Sequence, residues 1–219
     1  MKFSSSEENY IKSIYTLQAS MGKVNTNSLA EHLNTKAASV TDMLKKLKSK
    51  KLLEYKRYHG FKLNDSGIKQ ALKIIRRHRL WEFFLVSKLG MEWNAVHAIA
   101  EELEHVSSPE LIKKLDLYLE QPLVDPHGDP IPNEHGELPV LNQVSLVEYP
   151  HKKNGIVSSV SNQSSDMLQM LNHYGIGIGV ELKVLKSFDF DGSLEIKVSK
   201  QAACTISGLA AQNIFVYDD

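Results

Sequence analysis

The sequence predicts a mainly α-helical protein with a C-terminal β domain. Apolar residues recur at helical spacing through residues 7–120, whereas short segments of alternating apolar and polar residues follow residue 180. Between them, residues 121–143 are rich in Pro, Gly and Asp, which is typical of a loop or linker. We therefore expect helical domains followed by a small β-barrel.

Three helices and a hairpin are predicted at the N-terminus. The first helix covers residues 7–20, and Thr26 or Asn27 caps the second. The third has apolar residues at positions i, i+3, i+4 and i+7, namely Val40, Met43, Leu44 and Leu47. Residues 52–63 alternate in character, with Gly60 near the bend, which predicts a β-hairpin. Helix, helix, turn and helix followed by a basic hairpin form a winged helix-turn-helix.

A long helix is predicted from about residue 64 to Leu85, followed by helices over about 92–105 and 108–120. Near the end of the long helix, the apolar residues are more numerous than one short helix needs for its own packing. A dimer interface is the natural use for them. These residues are Leu80, Trp81, Phe83, Phe84, Leu85 and Val86.

The C-terminal region is predicted to form short strands over residues 180–185, 194–198 and 214–217, with a helical segment near 166–171. Glycines mark the turns between them. A small β-barrel fits this pattern.

Charge is divided unevenly along the chain. Residues 1–79 contain 17 Lys and Arg against 6 Asp and Glu, whereas the remaining 140 contain 9 against 20. The basic N-terminal region indicates a polyanionic partner, most plausibly nucleic acid, and the acidic remainder suits cation binding. Charge that serves solubility alone is the alternative, but it would not predict segregation along the chain.

Composition also excludes several classes of protein. Cys204 is the only cysteine, which excludes a disulfide framework and a thiolate metal cluster. No apolar run approaches membrane-spanning length, and the N-terminus lacks a signal-peptide core. We expect a soluble, cytoplasmic protein with no membrane partner.

The third helix is the predicted DNA-recognition helix. Residues at its start and on its outward faces could contact base edges and phosphates, and the hairpin could add phosphate contacts. The candidates are Lys36, Ala38, Ser39, Thr41, Asp42, Lys45, Lys46, Lys56 and Arg57. A solvated, lysine-rich helix is the alternative interpretation.

Imidazoles and carboxylates collect on two predicted helices. With His97 set at zero, Glu101 falls at about 40°, Glu104 at about −20° and His105 at about 80° around the helix axis. His78 and Glu82 form an i,i+4 pair of the same kind. A divalent cation would explain this stripe, whereas a polar face with incidental histidines would explain only one of them. Oxygen and imidazole ligands without sulfur suit Mn²⁺ or Fe²⁺.

These residues resemble the diphtheria toxin repressor and manganese transport regulator family of metal-dependent transcriptional repressors. The resemblance rests on residues 8–15, 77–82 and 96–106 and covers nearly the whole chain. It implies a winged helix-turn-helix domain over residues 1–72, a helical metal-binding and dimerisation domain over 73–140, and an SH3-like (FeoA-like) domain over 141–219. It also implies a homodimer that binds double-stranded operator DNA.

The resemblance further implies two metal positions per subunit. The first would use Glu101, Glu104, His105 and Asn9, and the second His78, Glu82 and His97. Glu101 stands where iron-selective relatives tend to place Cys, which favours Mn²⁺ over Fe²⁺. Asn9 departs from the family pattern, in which Asp or Met is common.

Four further residues resemble ligands of longer family members. Asp125 and His127 lie in a loop similar to a metal-binding Cys-Pro-His-Gly loop, and Gln163 and Asp166 fall near ligands of the third domain. The expected function is a Mn²⁺-dependent or Fe²⁺-dependent repressor of metal-homeostasis genes, not an enzyme. The alternatives are a di-iron carboxylate enzyme, of whose paired Glu-x-x-His motifs only one is present, and a metal-independent winged-helix regulator.

Overall fold

The computed structural model describes residues 3–22, 24–56 and 60–218. The N-terminal part contains α1 Ser5–Met21, α2 Thr26–His32, α3 Ala37–Ser49, β1 Leu53–Lys56, β2 Gly60–Leu63, α4 Asp65–Ser87, α5 His97–Val106 and α6 Pro109–Tyr118. The C-terminal part contains β3 Val144–Ser145, β4 Asn154–Val160, α7 Ser165–His173, β5 Glu181–Ser187, β6 Leu194–Val198, β7 Cys204–Ile206, α8 Gly208–Gln212 and β8 Ile214–Asp218. The predicted fold class is confirmed.

The first two helices begin where side chains satisfy their free backbone N–H groups. Ser4 and Glu7 form a capping box, so α1 begins at Ser5 and not at residue 7. Asn25 caps α2, because its Oδ1 accepts a hydrogen bond from the Ser28 N–H at 2.9 Å. The predicted caps Thr26 and Asn27 are therefore wrong, and both residues lie inside the helix.

Helix α5 begins at His97, later than the predicted start at about residue 92. Residues 93–95 form turns. The backbone carbonyl of Trp93 accepts a hydrogen bond from His127 Nε2 at 2.9 Å, so this oxygen is used by a distant side chain and not by a helical N–H. A tertiary contact therefore delays the start of the helix.

The chain divides into two compact units. The first comprises Met1–His78, Glu101–Ile112 and Pro132–Leu138. Its apolar core joins α1, α2 and α3 to the β1–β2 hairpin, whose register runs from Leu53 opposite Leu63 to Lys56 opposite Gly60. The fully buried side chains at the centre of this core include Ile11, Ile14, Leu29, Val40 and Leu47.

The second unit comprises Arg79–Ala100, Lys113–Ile131 and Pro139–Asp219. Its main feature is a six-stranded antiparallel sheet in the order β3-β8-β4-β5-β6-β7, packed around a core that includes α7 and α8. The sequence did not predict β3, β4, β7 or α8. Strand β4 is rich in Gly and Ser, which have low strand propensity, and β3 and β7 have only two and three residues.

Two apolar residues predicted to be exposed at a dimer interface are buried in the protomer. Leu80 is fully buried, and Leu85 packs with Val96 and Ala100. Large exposed apolar side chains on α5 and α6 include Val106 and Tyr118, which are 80% and 63% exposed. The prediction was wrong for Leu80 and Leu85 because an apolar excess in sequence does not show which residues pack within the chain.

The loop that carries Asp125 and His127 lies against β4. Gly128 has a φ of +84°, and a Cβ there would overlap the carbonyl oxygen of Ser158. The Val160 N–H donates to the carbonyl of His127 at 2.9 Å. Glycine is therefore needed for the loop to approach this strand.

None of the helices among the described residues is long and apolar enough to cross a membrane.

Glu7 connects α1 to the third helix through charge. Its Oε1 lies 2.6 Å from Lys50 Nζ and 3.6 Å from Lys46 Nζ, and the side chain is buried. Burial raises the pKa of Glu7, but the hydrogen bonds from Lys50 and the Ser4 N–H and the nearby lysine charges outweigh burial and lower it to about 2.

Glu7→Gln is expected to lower the free energy of unfolding at about pH 7, because a neutral amide cannot pair with Lys50. The folded-state pKa lies below the ordinary value of 4.5, so the stabilisation is present above 4.5 and is lost as the pH falls toward 2. Urea unfolding at about pH 7 and about pH 3 would show the difference between the two proteins shrinking. Glu54→Gln, which removes an exposed pair with Lys62, is the control and should change little. An equal loss at both pH values would contradict this account.

Candidate metal centres

Glu101, Glu104 and His105 form the first centre. They lie on the last two turns of α5, and their ligand atoms all lie within 4.8 Å of one another. Their spacing of i, i+3 and i+4 places the three side chains on one face of the helix. Glu104 is fully buried, whereas Glu101 is partly exposed.

Glu104 is held as a carboxylate by cationic and polar neighbours. Burial raises its pKa, but the hydrogen bond from His78 and the charge of Lys12 outweigh burial, so the pKa lies below its ordinary value. His78 Nδ1 lies 2.7 Å from Glu104 Oε2. A buried carboxylate in this state is a strong potential ligand for a cation.

His105 is oriented by a chain of charged groups. Its Nδ1 lies 2.7 Å from Glu8 Oε2, and Glu8 Oε1 accepts a hydrogen bond from Arg77 at 2.7 Å. The carboxylate assigns the proton to Nδ1, which leaves a lone pair on Nε2. Nε2 is buried without a hydrogen-bond partner, 3.5 Å from Glu104 Oε1. A buried imidazole nitrogen without a partner beside a carboxylate is an arrangement that can bind a metal ion.

Asn9 follows Glu8 on α1, and its Oδ1 is also buried without a hydrogen-bond partner. Leaving a buried polar atom unsatisfied costs about 1–3 kcal/mol. The side chain also borders a cavity lined by Ser6, Thr35 and Ser39. Glu101, Glu104 and His105 do not line this cavity, so only the unpartnered amide oxygen supports Asn9 as a candidate neutral ligand.

Lys12 also belongs to this cluster, although it was not among the site residues predicted from the sequence. Its Nζ lies 2.6 Å from Glu101 Oε2 and 2.9 Å from Glu104 Oε1. The available signal was its i,i+4 spacing from Glu8, which puts both residues on one face of α1. Helix α1 therefore faces the first centre with one anionic and one cationic side chain.

Glu82, Asp125 and His127 form the second centre. All three are buried, and their ligand atoms also lie within 4.8 Å of one another. His127 Nδ1 is 3.8 Å from Glu82 Oε2 and 3.8 Å from Asp125 Oδ1. Glu82 also lies 3.1 Å from His97 Nδ1.

His127 has the opposite tautomer to His105: its proton lies on Nε2, whereas that of His105 lies on Nδ1. Because Nε2 donates to the Trp93 carbonyl, the lone pair lies on Nδ1, which is buried without a hydrogen-bond partner. The Trp93 ring stacks on the imidazole with centroids 5.7 Å apart, and its Nε1 donates to Asn172 Oδ1 at 2.8 Å. Trp93 therefore fixes the orientation of His127.

Asp125 is a carboxyl group of the second centre whose pKa is shifted upward. Burial raises its pKa, and the negative charges of Asp129 and Glu82 raise it further, whereas Arg79 opposes them. Asp125 Oδ1 accepts hydrogen bonds from the backbone N–H groups of His127 and Asp129. An added cation would relieve the repulsion among these carboxylates.

Two other candidate ligands have different surroundings. Gln163 Nε2 donates to Asp129 Oδ2 at 3.1 Å, and Asp166 is exposed in the first turn of α7. Neither belongs to the two centres as defined. Cys204 lies in β7, so both centres offer oxygen and nitrogen ligands only.

The candidate DNA-contacting residues of α3 are exposed. They are Lys36, Ala38, Ser39, Thr41, Asp42, Lys45 and Lys46. Asp42 pairs with Lys45 at 3.0 Å, which neutralises a carboxylate that would repel phosphate. The side chain of Lys56 and the whole of Arg57 lie outside the described residues.

Comparisons with known proteins show which families this chain resembles. Family models match residues 2–61 (iron dependent repressor, N-terminal DNA binding domain), 64–133 (iron dependent repressor, metal binding and dimerisation domain) and 144–218 (FeoA domain). The chain is 36% identical to the HTH-type transcriptional regulator MntR of Oceanobacillus iheyensis, over 46% of this chain and 67% of that protein. It is 47% identical to a probable metal transport system membrane protein of Chlamydia trachomatis over 34% of its length, but it spans only 16% of that protein.

A solved structure of a manganese-dependent transcriptional repressor in complex with manganese is similar over nearly its whole length. It is 35% identical, with a TM-score of 0.86 over 97% of this chain and 99% of that one. The resemblance inferred from the sequence is thereby confirmed. The chain belongs to the diphtheria toxin repressor and manganese transport regulator family of metal-dependent transcriptional repressors.

Proposed function

We propose that this protein is a Mn²⁺-dependent repressor of metal-homeostasis genes that binds double-stranded operator DNA as a homodimer. Fe²⁺ is the alternative activating ion. The observation that carries the proposal is the contact between α1 and the first centre on α5. Glu8 binds His105, and Lys12 binds Glu101 and Glu104.

Helix α1 gives the first centre a direct connection to the helix-turn-helix. Ile11 and Ile14 on α1 pack in the same core as Val40 and Leu47 on α3. Because this core is fully buried, a change in the position of α1 must be transmitted to α3. The side chains that bind a metal and those that position the recognition helix thus share one element.

The donor set of the first centre suits a divalent cation. Glu101, Glu104 and His105 would hold it, with Asn9 as the proposed fourth ligand. A bound cation would supply the positive charge that these carboxylates need. Glutamate oxygens in place of a thiolate favour Mn²⁺, and the manganese-containing relative supports this choice.

A second metal position is proposed around Glu82, with His78 and His97 as the resemblance implies and with Asp125 and His127 as additional ligands. The buried, unbonded Nδ1 of His127 supports this extension. We assign no ligand role to Gln163 or Asp166. The proposed domains are residues 1–72, 73–140 and 141–219.

The DNA interface is proposed on α3 and the hairpin, with Lys36, Ala38, Ser39, Thr41, Asp42, Lys45, Lys46, Lys56 and Arg57 as contacts. Metal and DNA should strengthen each other's binding by the same factor, because both would favour one position of α1. Exposed apolar side chains on α5 and α6 support a homodimer.

His105→Ala is expected to weaken Mn²⁺-dependent operator binding by about 100-fold or more, because it removes a ligand whose outer-sphere partner alone is typically worth 10–100-fold. Electrophoretic mobility shifts with Mn²⁺ and then with EDTA would measure the effect. His151→Ala, which removes an exposed histidine outside both centres, is the control. DNA binding by the unaltered protein that resists EDTA would instead favour a metal-independent regulator.

Glu101→Cys is expected to shift activation from Mn²⁺ toward softer ions such as Fe²⁺ and Co²⁺, because a thiolate prefers them. The concentrations of Mn²⁺ and Co²⁺ that give half-maximal DNA binding would be compared under reducing conditions. Glu102→Cys is the matched control, since it places a thiol on the adjacent, exposed position. A shift of equal size in both variants would argue against Glu101 as a ligand.

Trp93 should report on the second centre. In a Trp81→Phe background, Mn²⁺ is expected to quench Trp93 fluorescence, because the ring stacks on His127 and Mn²⁺ is paramagnetic. Adding His127→Ala should abolish the quenching, whereas adding His105→Ala should leave it in place. Quenching that persists without His127 would contradict its role as a ligand of the second centre.

A further inference from the structure

Lys12 occupies a position in the first centre that conflicts with a bound divalent ion. Its Nζ lies 2.6 Å from Glu101 Oε2 and 2.9 and 3.0 Å from the two oxygens of Glu104. These are the oxygens that the proposed function assigns to the metal. An ammonium group and a divalent cation cannot share them, because like charges at such separation repel strongly.

We propose that Lys12 is an internal cation that neutralises Glu101 and Glu104 in the metal-free protein and competes with the divalent ion for them. Lys12 thereby raises the metal concentration at which the protein responds. This inference rests on the proposed function, because it takes the first centre to be a metal site.

The burial of Glu104 explains why a competing cation is present. Its side chain has no exposed surface, and a buried carboxylate without a compensating charge is strongly destabilising. Lys12 supplies that charge from α1, and His78 supplies a hydrogen bond from α4. The metal-free protein can therefore keep α1 against the C-terminal turns of α5.

Displacement of Lys12 is physically feasible. The side chain is 17% exposed, and its flexible four-carbon stem can carry the ammonium group toward water. The ion must supply the interaction energy that Lys12 gives up, so the apparent affinity for metal is lower than the ligands alone would provide. The effect is confined to the first centre.

Lys12→Met tests the competition directly. Titration of the free Mn²⁺ signal by electron paramagnetic resonance, without DNA, should show binding at the first centre tightened by about 10-fold or more. Lys12→Arg, which keeps the charge, should bind Mn²⁺ much as the unaltered protein does. Lys62→Met is the control for net charge, because it removes a lysine from an exposed pair with Glu54.

The outcomes separate this inference from the proposed function. Unchanged or weaker Mn²⁺ binding by Lys12→Met, with His105→Ala still losing one ion, would overturn the competition and leave the metal site in place. Mn²⁺ binding that His105→Ala does not affect would overturn both. Tighter binding in Lys62→Met as well would assign the effect to net charge and overturn the role of Lys12.

A second measurement uses the unaltered protein, so it does not depend on a variant that folds. Acetylation of Lys12 by acetic anhydride, followed by mass spectrometry, should be slow in EDTA and faster with Mn²⁺, because the ion releases the amine to solvent. Lys62 provides the internal reference rate. Slower acetylation of Lys12 with Mn²⁺ than in EDTA would contradict the displacement.

Discussion

The buried carboxylate of Glu104 constrains how the helices of the first unit pack. Because it has no exposed surface and remains ionised, it must be compensated by side chains from other helices. Lys12 on α1 and His78 on α4 provide that compensation. The joint between α1 and α5 is therefore made of charges and hydrogen bonds, whereas the helix-turn-helix itself is held by an apolar core. Replacement of Lys12 by a metal ion, as proposed above, would therefore change the contact between α1 and α5 without disrupting the apolar core of the helix-turn-helix.

The two centres use the same device with opposite ring atoms. His105 is anchored through Nδ1 by a carboxylate and His127 through Nε2 by a backbone carbonyl, and each leaves its other nitrogen buried and unbonded. An anchored imidazole loses little freedom when it binds an ion, so such sites are preorganised. The anchors differ in kind: Glu8 belongs to a network of charged side chains, whereas the Trp93 carbonyl is part of a fixed turn.

Those parts of the candidate site that depend on local spacing could be predicted from the sequence. Glu101, Glu104 and His105 share one helix face, and helical geometry alone places them together. Neither Lys12 nor Trp93 could be predicted in this way, because their partners are distant in sequence. Lys12 lies 89 residues from Glu101, and Trp93 lies 34 residues from His127. Helix starts were misplaced where caps or tertiary contacts decide them, as at Asn25 and His97. Strand β4 was missed because the sheet imposes extended structure on residues of low strand propensity.

The Asp125–Asp129 loop packs against β4, so the second centre depends on the C-terminal domain whereas the first centre does not. The backbone carbonyl of His127 accepts a hydrogen bond from the Val160 N–H, and a side chain at position 128 would overlap the carbonyl oxygen of Ser158. A shortened protein that stopped before the FeoA-like segment would retain every side chain of the first centre. It would lose strand β4, which contacts the backbone of His127. If both centres bind metal as proposed, loss of the C-terminal domain would therefore affect the second centre and leave the ligands of the first in place.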